Sequence, residues 1–243
     1  MKLSVILPTY NESGNIVQLI EAILRAVPDK WDREIVVVDD DSPDGTYELV
    51  TRTFKDQPAV IAKKRTADRG LANSIRAGLE MATGDQLLVM DTDFTHDPVE
   101  IPKMLHLAEY FDIVSGSRFC AGGSMSSTRH YLASMSYNLI LRLILRTQIQ
   151  DNLGGYFTIK RQDLDNLPFD AIFHGYGDYF FRLLHCAEKK GLSIIEIPAH
   201  YHSRKAGKSK SSFFRLLFSY SLAVIRFKLS FPGIDAAKKN DRR

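Results

Sequence analysis

The chain is 243 residues long, 44% hydrophobic and 25% charged, the composition of an ordinary globular protein able to bury one substantial core. Its two cysteines, Cys120 and Cys186, exclude a disulfide framework and a cysteine-rich zinc cluster, and no apolar run reaches the roughly 18–20 residues that span a bilayer. The net charge of +3 conceals an asymmetry: residues 200–243 hold eleven Lys or Arg against two acids, Asp235 and Asp241, so a basic end follows an acidic body and points to an anionic partner surface.

Leu3 to Leu7 predicts a strand; it is too short for a secretory signal and ends at Pro8, so the catalytic part is expected on the cytosolic side. Residues 14–27 carry Ile16, Leu19, Ile20, Ile23, Leu24 and Val27 at helical spacing. Glu34 to Val38 is a continuous β-branched run, as in a strand covered on both faces. A helix over Thr46 to Phe54, a strand over Ala59 to Ala62 and a helix over residues 70–82 follow. Gln86 to Met90 predicts a fourth strand, residues 99–110 a helix, and Asp112 to Ser115 a fifth strand. This alternation predicts an α/β fold with an open, mostly parallel sheet and crossover helices.

The second half is less regular. Residues 130–146 read as a helix whose Leu132, Met135, Leu139, Ile140 and Leu143 are expected to supply much of a buried face. A short strand is expected within Asp151 to Lys160, after Gly154-Gly155, then a helix over 176–189 and a strand over Ile194 to Ile197. His200 to Lys210 is polar and basic. Residues 213–231 are rich in Phe, Leu, Ile and Val, with Arg215, Arg226 and Lys228 interspersed. That arm can lie in a membrane interface, or pack on the body or on another subunit, which leaves self-association open. Nucleic acid is not expected as a partner, because no RNA- or DNA-binding motif accompanies the basic charge.

Ligands of open α/β sheets bind beyond the carboxyl ends of the strands. Four polar clusters fall at such ends: Pro8 to Glu12, Asp39 to Thr46, Asp91-Thr92-Asp93, and Gly116-Ser117-Arg118. Turn chemistry accounts for one or two of them; their shared edge argues for a site. Asp91 and Asp93 are two positions apart, so in an extended segment both carboxylates point the same way and can share one hard cation, magnesium or manganese, with diphosphate oxygens. Asp40 and Glu12 are placed to accept hydrogen bonds from a nucleobase or ribose. Asp44 reads as a helix cap. Arg118 can grip phosphate oxygens or pair with a nearby acid. The glycine-rich dinucleotide fingerprint and the P-loop lysine motif are both absent, and nothing suggests a Ser/His/Asp or Cys/His nucleophile.

These residues resemble the family 2 glycosyltransferases, specifically the dolichol-phosphate or polyprenyl-phosphate mannose synthases. The resemblance runs from Leu7-Pro8-Thr9-Tyr10-Asn11-Glu12 through Val38 to Thr46, Arg69 to Ala72, Ala82 to Asp85, Met90 to Pro98 and Ser115 to Phe119, and reaches the basic segment from Arg204 to Lys210. It implies a GT-A nucleotide-diphospho-sugar transferase fold, a metal-bound nucleoside diphosphate sugar and inversion at the anomeric carbon. It also implies that Pro8, Tyr10, Glu12 and Asp40 surround the nucleoside, that Asp91 and Asp93 hold metal and diphosphate, and that Arg118, Arg204 and Lys210 face donor or acceptor phosphates. The implied reaction moves a hexose, mannose from GDP-mannose, to a polyprenyl phosphate on the cytosolic face of a membrane. Residues 1–210 form the catalytic unit on this reading, with an acceptor loop over 200–210, and residues 211–243 a basic amphipathic helix and tail.

A phosphate acceptor would explain why no strong general base stands out. For a hydroxyl acceptor, such as a saccharide, the candidate base is Asp178, with His174 second. The chain also departs from the family. Phe157 stands where an arginine usually follows an Asp-x-Thr-Ser-Gly-aromatic run, and the pattern around Gly175-Tyr176-Gly177-Asp178-Tyr179 is altered. The contrasting reading is a catalytically idle module that binds a membrane or a protein.

Overall fold

A computed structural model describes residues 1–201 and 213–230, with side chains assigned outside 213–219 and Ser230. The first half runs β1 (Lys2–Thr9), α1 (Ile16–Ala26), β2 (Asp32–Asp39), α2 (Thr46–Thr53), β3 (Val60–Lys64), α3 (Leu71–Met81) and β4 (Gln86–Val89). A 3-10 turn over Pro98–Glu100 leads into α4 (Ile101–Leu107) and β5 (Ile113–Ser117). The second half runs β6 (Ser124–Met125), α5 (Thr128–Leu145), β7 (Phe157–Lys160), α6 (Arg161–Asp165), α7 (Phe169–Ile172), α8 (Tyr179–Lys190), β8 (Ile194–Pro198), β9 (His200–Tyr201) and α9 (Phe213–Ser230). Every element expected from periodicity is present. The short β6, α6, α7 and β9 were not foreseen, since two to five residues carry no readable period.

Seven strands form one sheet in the order β3-β2-β1-β4-β7-β5-β8. β1 pairs in parallel with β2 and β4, and β5 in parallel with β8, while β7 runs antiparallel to both β4 and β5. The sheet is therefore mostly parallel, with one reversed strand wedged into its middle. That reversal brings the start of β7 and the preceding Gly154-Gly155 to the edge where β1, β2, β4 and β5 end. β6 and β9 form a separate parallel pair.

Two apolar layers sandwich the sheet, and the period-2 alternation of its strands feeds both. Ile6, Val36, Val38, Leu87 and Val89 face α3 and α8, whereas Val5, Leu7, Ile35, Val37 and Leu88 face α1 and α4. The α1 stripe expected from sequence is buried at Ile16, Leu19, Ile20 and Ile23. Full burial of a residue this size stabilises by about 1.5–3 kcal/mol. Tyr220, Val224 and Phe227 of α9 join the α3 and α8 side, so this helix packs on the body.

One expectation is reversed. Leu132, Met135, Leu139, Ile140 and Leu143 of α5 are exposed by 42–72%, and Tyr137, Asn138, Leu141 and Leu145 are the buried residues. α5 carries two apolar stripes, and tertiary packing uses the other one.

Candidate active site

The edge formed by the strand ends divides into three hydrogen-bonded groups. The first is built around the acids after β2. Asp39 is fully buried; its carboxylate accepts from Thr9 Oγ1 at 3.1 Å and from Ser42 N and Oγ at 2.9 and 2.5 Å, so it ties the ends of β1 and β2 together. Asp44 accepts from Thr46 N and Oγ1 at the start of α2 and from Ser13 N, as expected of a cap. Burial opposes its ionisation, but these bonds prevail and hold its carboxyl below the usual range. Asp40 accepts from Arg65 Nη1 at 2.8 Å and from Gly70 N at 2.6 Å, and Arg65 Nη1 also reaches Ser74 Oγ. Pro8 closes β1 beside Val38, Tyr10 is 41% exposed, and Glu12 Oε2 accepts from Asn15 Nδ2 at 2.8 Å. The residues expected around a nucleoside, Pro8, Tyr10, Glu12 and Asp40, thus share one end of the edge. Arg65 was missed from sequence. Its signal was the basic run from Lys63 to Arg65 at the exit of the strand beside the acidic one.

The second group surrounds Asp91 and Asp93, which lie just beyond β4. Asp91 is half exposed and Asp93 is buried, with Asp93 Oδ1 accepting from Thr95 N at 3.1 Å and Thr95 Oγ1 at 2.6 Å. Asp91 N donates to His96 Nδ1 at 2.8 Å. That bond assigns the lone pair to Nδ1, so the neutral ring carries its proton on Nε2, which meets Tyr201 Oη at 2.9 Å. Tyr201 Oη in turn donates to Gly154 O at 3.0 Å. Burial drives the His96 pKa down to about 4, against the pull of the Asp93 carboxylate. Its ring stacks on Tyr156 with centroids 4.8 Å apart. Both nitrogens of His96 are thereby engaged.

Arg118 joins this group through a paired acid. Its guanidinium is 7% exposed and grips Asp151 with two bonds of 2.7 Å from Nε and Nη2, beneath the Tyr201 ring at 4.9 Å. It thus pairs with an acid through Nε and Nη2, and Nη1 has no hydrogen-bond partner among the described residues. Asp151 is itself held through its backbone by Glu196, which accepts from Gln150 N and Asp151 N.

Asp178, at the start of α8, anchors the third group. Its Oδ2 lies 2.5 Å from Arg182 Nη1 and its Oδ1 accepts from Tyr176 N at 2.7 Å. Arg182 is 1% exposed and also donates to Ile172 O and His174 O, the carbonyls left over where α7 ends. Gly175 is needed here: its φ is 80°, and an added Cβ would sit 2.8 Å from Asp178 Oδ1. His174 is exposed, and partial burial with the Arg182 charge lowers its pKa. Phe157 is fully buried in β7 against Phe180, so position 157 serves the core. Arg204 and Lys210 lie outside the described residues.

The donor set at Asp91 and Asp93 suits magnesium or manganese, which take oxygen ligands. No cluster of three or more His, Cys, Asp or Glu able to hold a metal occurs among the described residues. Two carboxylates fit an ion that completes its shell from a bound diphosphate, and do not fit a closed structural site.

Residues 4–167 match the sequence profile of the family described as "Glycosyl transferase family 2". The chain is 33% identical over 217 residues to a dolichol-phosphate mannosyltransferase of Pyrococcus furiosus, covering 86% of this chain and 59% of that protein. It thus spans about three fifths of that relative's length. It is 32% identical to an undecaprenyl-phosphate mannosyltransferase of Micrococcus luteus, over 87% of this chain and 88% of the other. Among solved structures, glucosyl-3-phosphoglycerate synthase of Mycobacterium tuberculosis, in complex with Mn2+, UDP and phosphoglyceric acid, superposes with a TM-score of 0.70 at 19% identity, covering 96% of this chain and 78% of that one. This likeness bears on the fold. The chain belongs to glycosyl transferase family 2, and is a glycosyltransferase of the GT-A fold.

Proposed function

We propose that the protein transfers a hexose, mannose from GDP-mannose, with inversion onto the phosphate of a polyprenyl phosphate at the cytosolic surface of a membrane. The observation that carries this reading is the Asp178–Arg182 pair, which occupies the one carboxylate expected to act as a base. A hydroxyl acceptor needs such a base to take its proton. A phosphate monoester, with a second pKa of about 6, arrives as an anion and needs orientation instead. The names of the Pyrococcus and Micrococcus relatives support the same acceptor class.

On this reading Pro8, Tyr10, Glu12 and Asp40 hold the nucleoside, and Asp91 and Asp93 would hold magnesium or manganese. The ion, when bound, offsets the charge that develops on the departing diphosphate. Arg118, fixed by Asp151, offers its remaining Nη1 edge to a phosphate oxygen, and Arg204 and Lys210 are assigned to donor or acceptor phosphates by resemblance. An acceptor phosphate oxygen attacks the anomeric carbon from the side opposite the diphosphate. The new C–O bond forms as the bond to the diphosphate oxygen breaks, and its electron pair leaves with the nucleoside diphosphate. The anomeric configuration inverts and no proton changes hands.

The test is a matrix of GDP-mannose and UDP-glucose against polyprenyl phosphates, a saccharide and phosphoglycerate, with Asp93→Asn as control. Metal-dependent mannosylation of the lipid phosphate is the expected result. Turnover confined to a saccharide or phosphoglycerate would sink the acceptor assignment, and no donor binding at all would favour the idle-module reading.

A further inference from the structure

α5 and α9 run parallel and in contact. Tyr137 Oη is 3.1 Å from Ser221 Oγ, and one turn pair later Lys228 Nζ donates to Ile144 O, so the same offset of 84 residues holds along both helices. Each helix buries one side against the body, through Tyr137, Leu141 and Leu145 on α5 and Tyr220, Val224 and Phe227 on α9. Each also leaves an apolar stripe on the opposite side. On α5 these are the five residues, from Leu132 to Leu143, that sequence reasoning assigned to the core. On α9 they are Leu222, Ile225 and Leu229, exposed by 39, 50 and 75% and spaced at i, i+3 and i+7. Eight of the fourteen exposed large hydrophobic residues among those described lie on these two helices. Scattered singly, exposed apolar residues need no partner; gathered on one face they do.

The charge around this face says what the partner is. The described stretches 119–150 and 220–229 contain five Lys or Arg and no Asp or Glu, in a chain with 29 acids. Arg129, Arg146 and Arg226 are exposed on or at the ends of the two helices. A second copy docked face to face would set these cations against their own kind. An anionic lipid surface complements them, and in-plane amphipathic helices bind such surfaces with apolar residues below the head groups and basic ones among them. No helix among the described residues is long and apolar enough to cross a membrane.

We infer that the paired outer faces of α5 and α9 form one surface that seats the protein in the plane of an anionic bilayer. It deepens the lipid-phosphate reading above by naming the face that meets the lipid. The inner side of α9 adjoins the active edge: Tyr220 lies so close to Gly177, beside Asp178, that an added Cβ there would meet its hydroxyl at 2.4 Å. Seating on the outer face of α9 would hold that end of the site one helix diameter, roughly 10 Å, from the lipid surface.

The full chain is to be co-sedimented with phosphatidylcholine vesicles with and without phosphatidylglycerol. The parent is expected to partition onto the anionic vesicles. A Leu139→Glu, Leu143→Glu double variant, at positions 54 and 72% exposed, is expected to lose at least about tenfold in partition without a change in melting temperature. Tyr110→Glu, 69% exposed on another part of the surface, is expected to bind as the parent does. Unchanged vesicle binding by the double variant would overturn the inference. So would a parent dimer that the double variant converts to monomer, since the face would then belong to a second copy. A protein that binds vesicles through this face yet glycosylates no polyprenyl phosphate would overturn the acceptor reading and leave the membrane seat standing.

Discussion

Tyr201 Oη and His96 Nε2 stand 2.9 Å apart, and their bond joins the loop that carries Asp91 to the short strand that follows β8. The link is buried on both sides, and the Tyr201 ring also roofs the Arg118 guanidinium. Tyr201→Phe would keep the ring and leave the His96 Nε2 proton without its acceptor. Destabilisation of about 1–3 kcal/mol is expected in urea unfolding. A double-mutant cycle with His96→Asn, whose amide can still accept from Asp91 N, should return a coupling of at least about 0.5 kcal/mol.

Asp93→Asn preserves an acceptor for Thr95 and removes one negative charge beside the proposed cation. Folding should be little changed. The Mn2+-dependent thermal shift with a nucleoside diphosphate should disappear, and turnover should fall by about 100-fold or more. Full residual turnover would remove Asp93 from the metal site.

Asp178→Asn would strand the buried Arg182 charge. A loss on the order of 3–5 kcal/mol is expected, read as a large fall in melting temperature. If Asp178 only positions the turn before α8, the pH profile of turnover in the surviving folded protein keeps its acidic limb. A base role predicts that this limb vanishes.

Glu34 reports on pH. Burial alone would raise its pKa, but bonds from Lys2, Ser4 and Thr83 prevail and lower it from an ordinary 4.5 to about 2. Because the folded value lies below the unfolded one, the carboxylate stabilises fully above pH 4.5, by on the order of 2–3 kcal/mol, and this is lost as pH falls from 4.5 through 2. Glu34→Gln should therefore be less stable than the parent at pH 7, with the gap narrowing across that window in acid unfolding measurements.

The strand–helix alternation from Leu3 to Ser117 was legible because the buried strands are short apolar runs, β-branched in β2, and the covering helices carry apolar stripes, as in α1. The shared edge of Glu12, Asp40 and Asp91 followed from the same pattern, since parallel strands all end on one side. β7 was different. Its four residues gave a strand but not its direction, and the reversal that brings Gly154 beside Tyr201 depends on pairing with β4 and β5.

Arg118 and α5 mark the boundary most clearly. Residue type and position at a strand end put an arginine among acids, and both phosphate and carboxylate remained open to it; Asp151, 33 residues away in sequence, takes the Nε–Nη2 edge in a bidentate pair and leaves Nη1. In α5 helical periodicity was satisfied by either of two apolar stripes, so local spacing established the helix and left its orientation undetermined. By itself the sequence determined the elements, their order and the family to which the acidic clusters belong, because these depend on local periodicity and on residues near one another in the chain. Which arginine is neutralised, which carboxylate is occupied and which stripe of α5 faces outward depended on contacts between distant segments, and only the tertiary structure decided them.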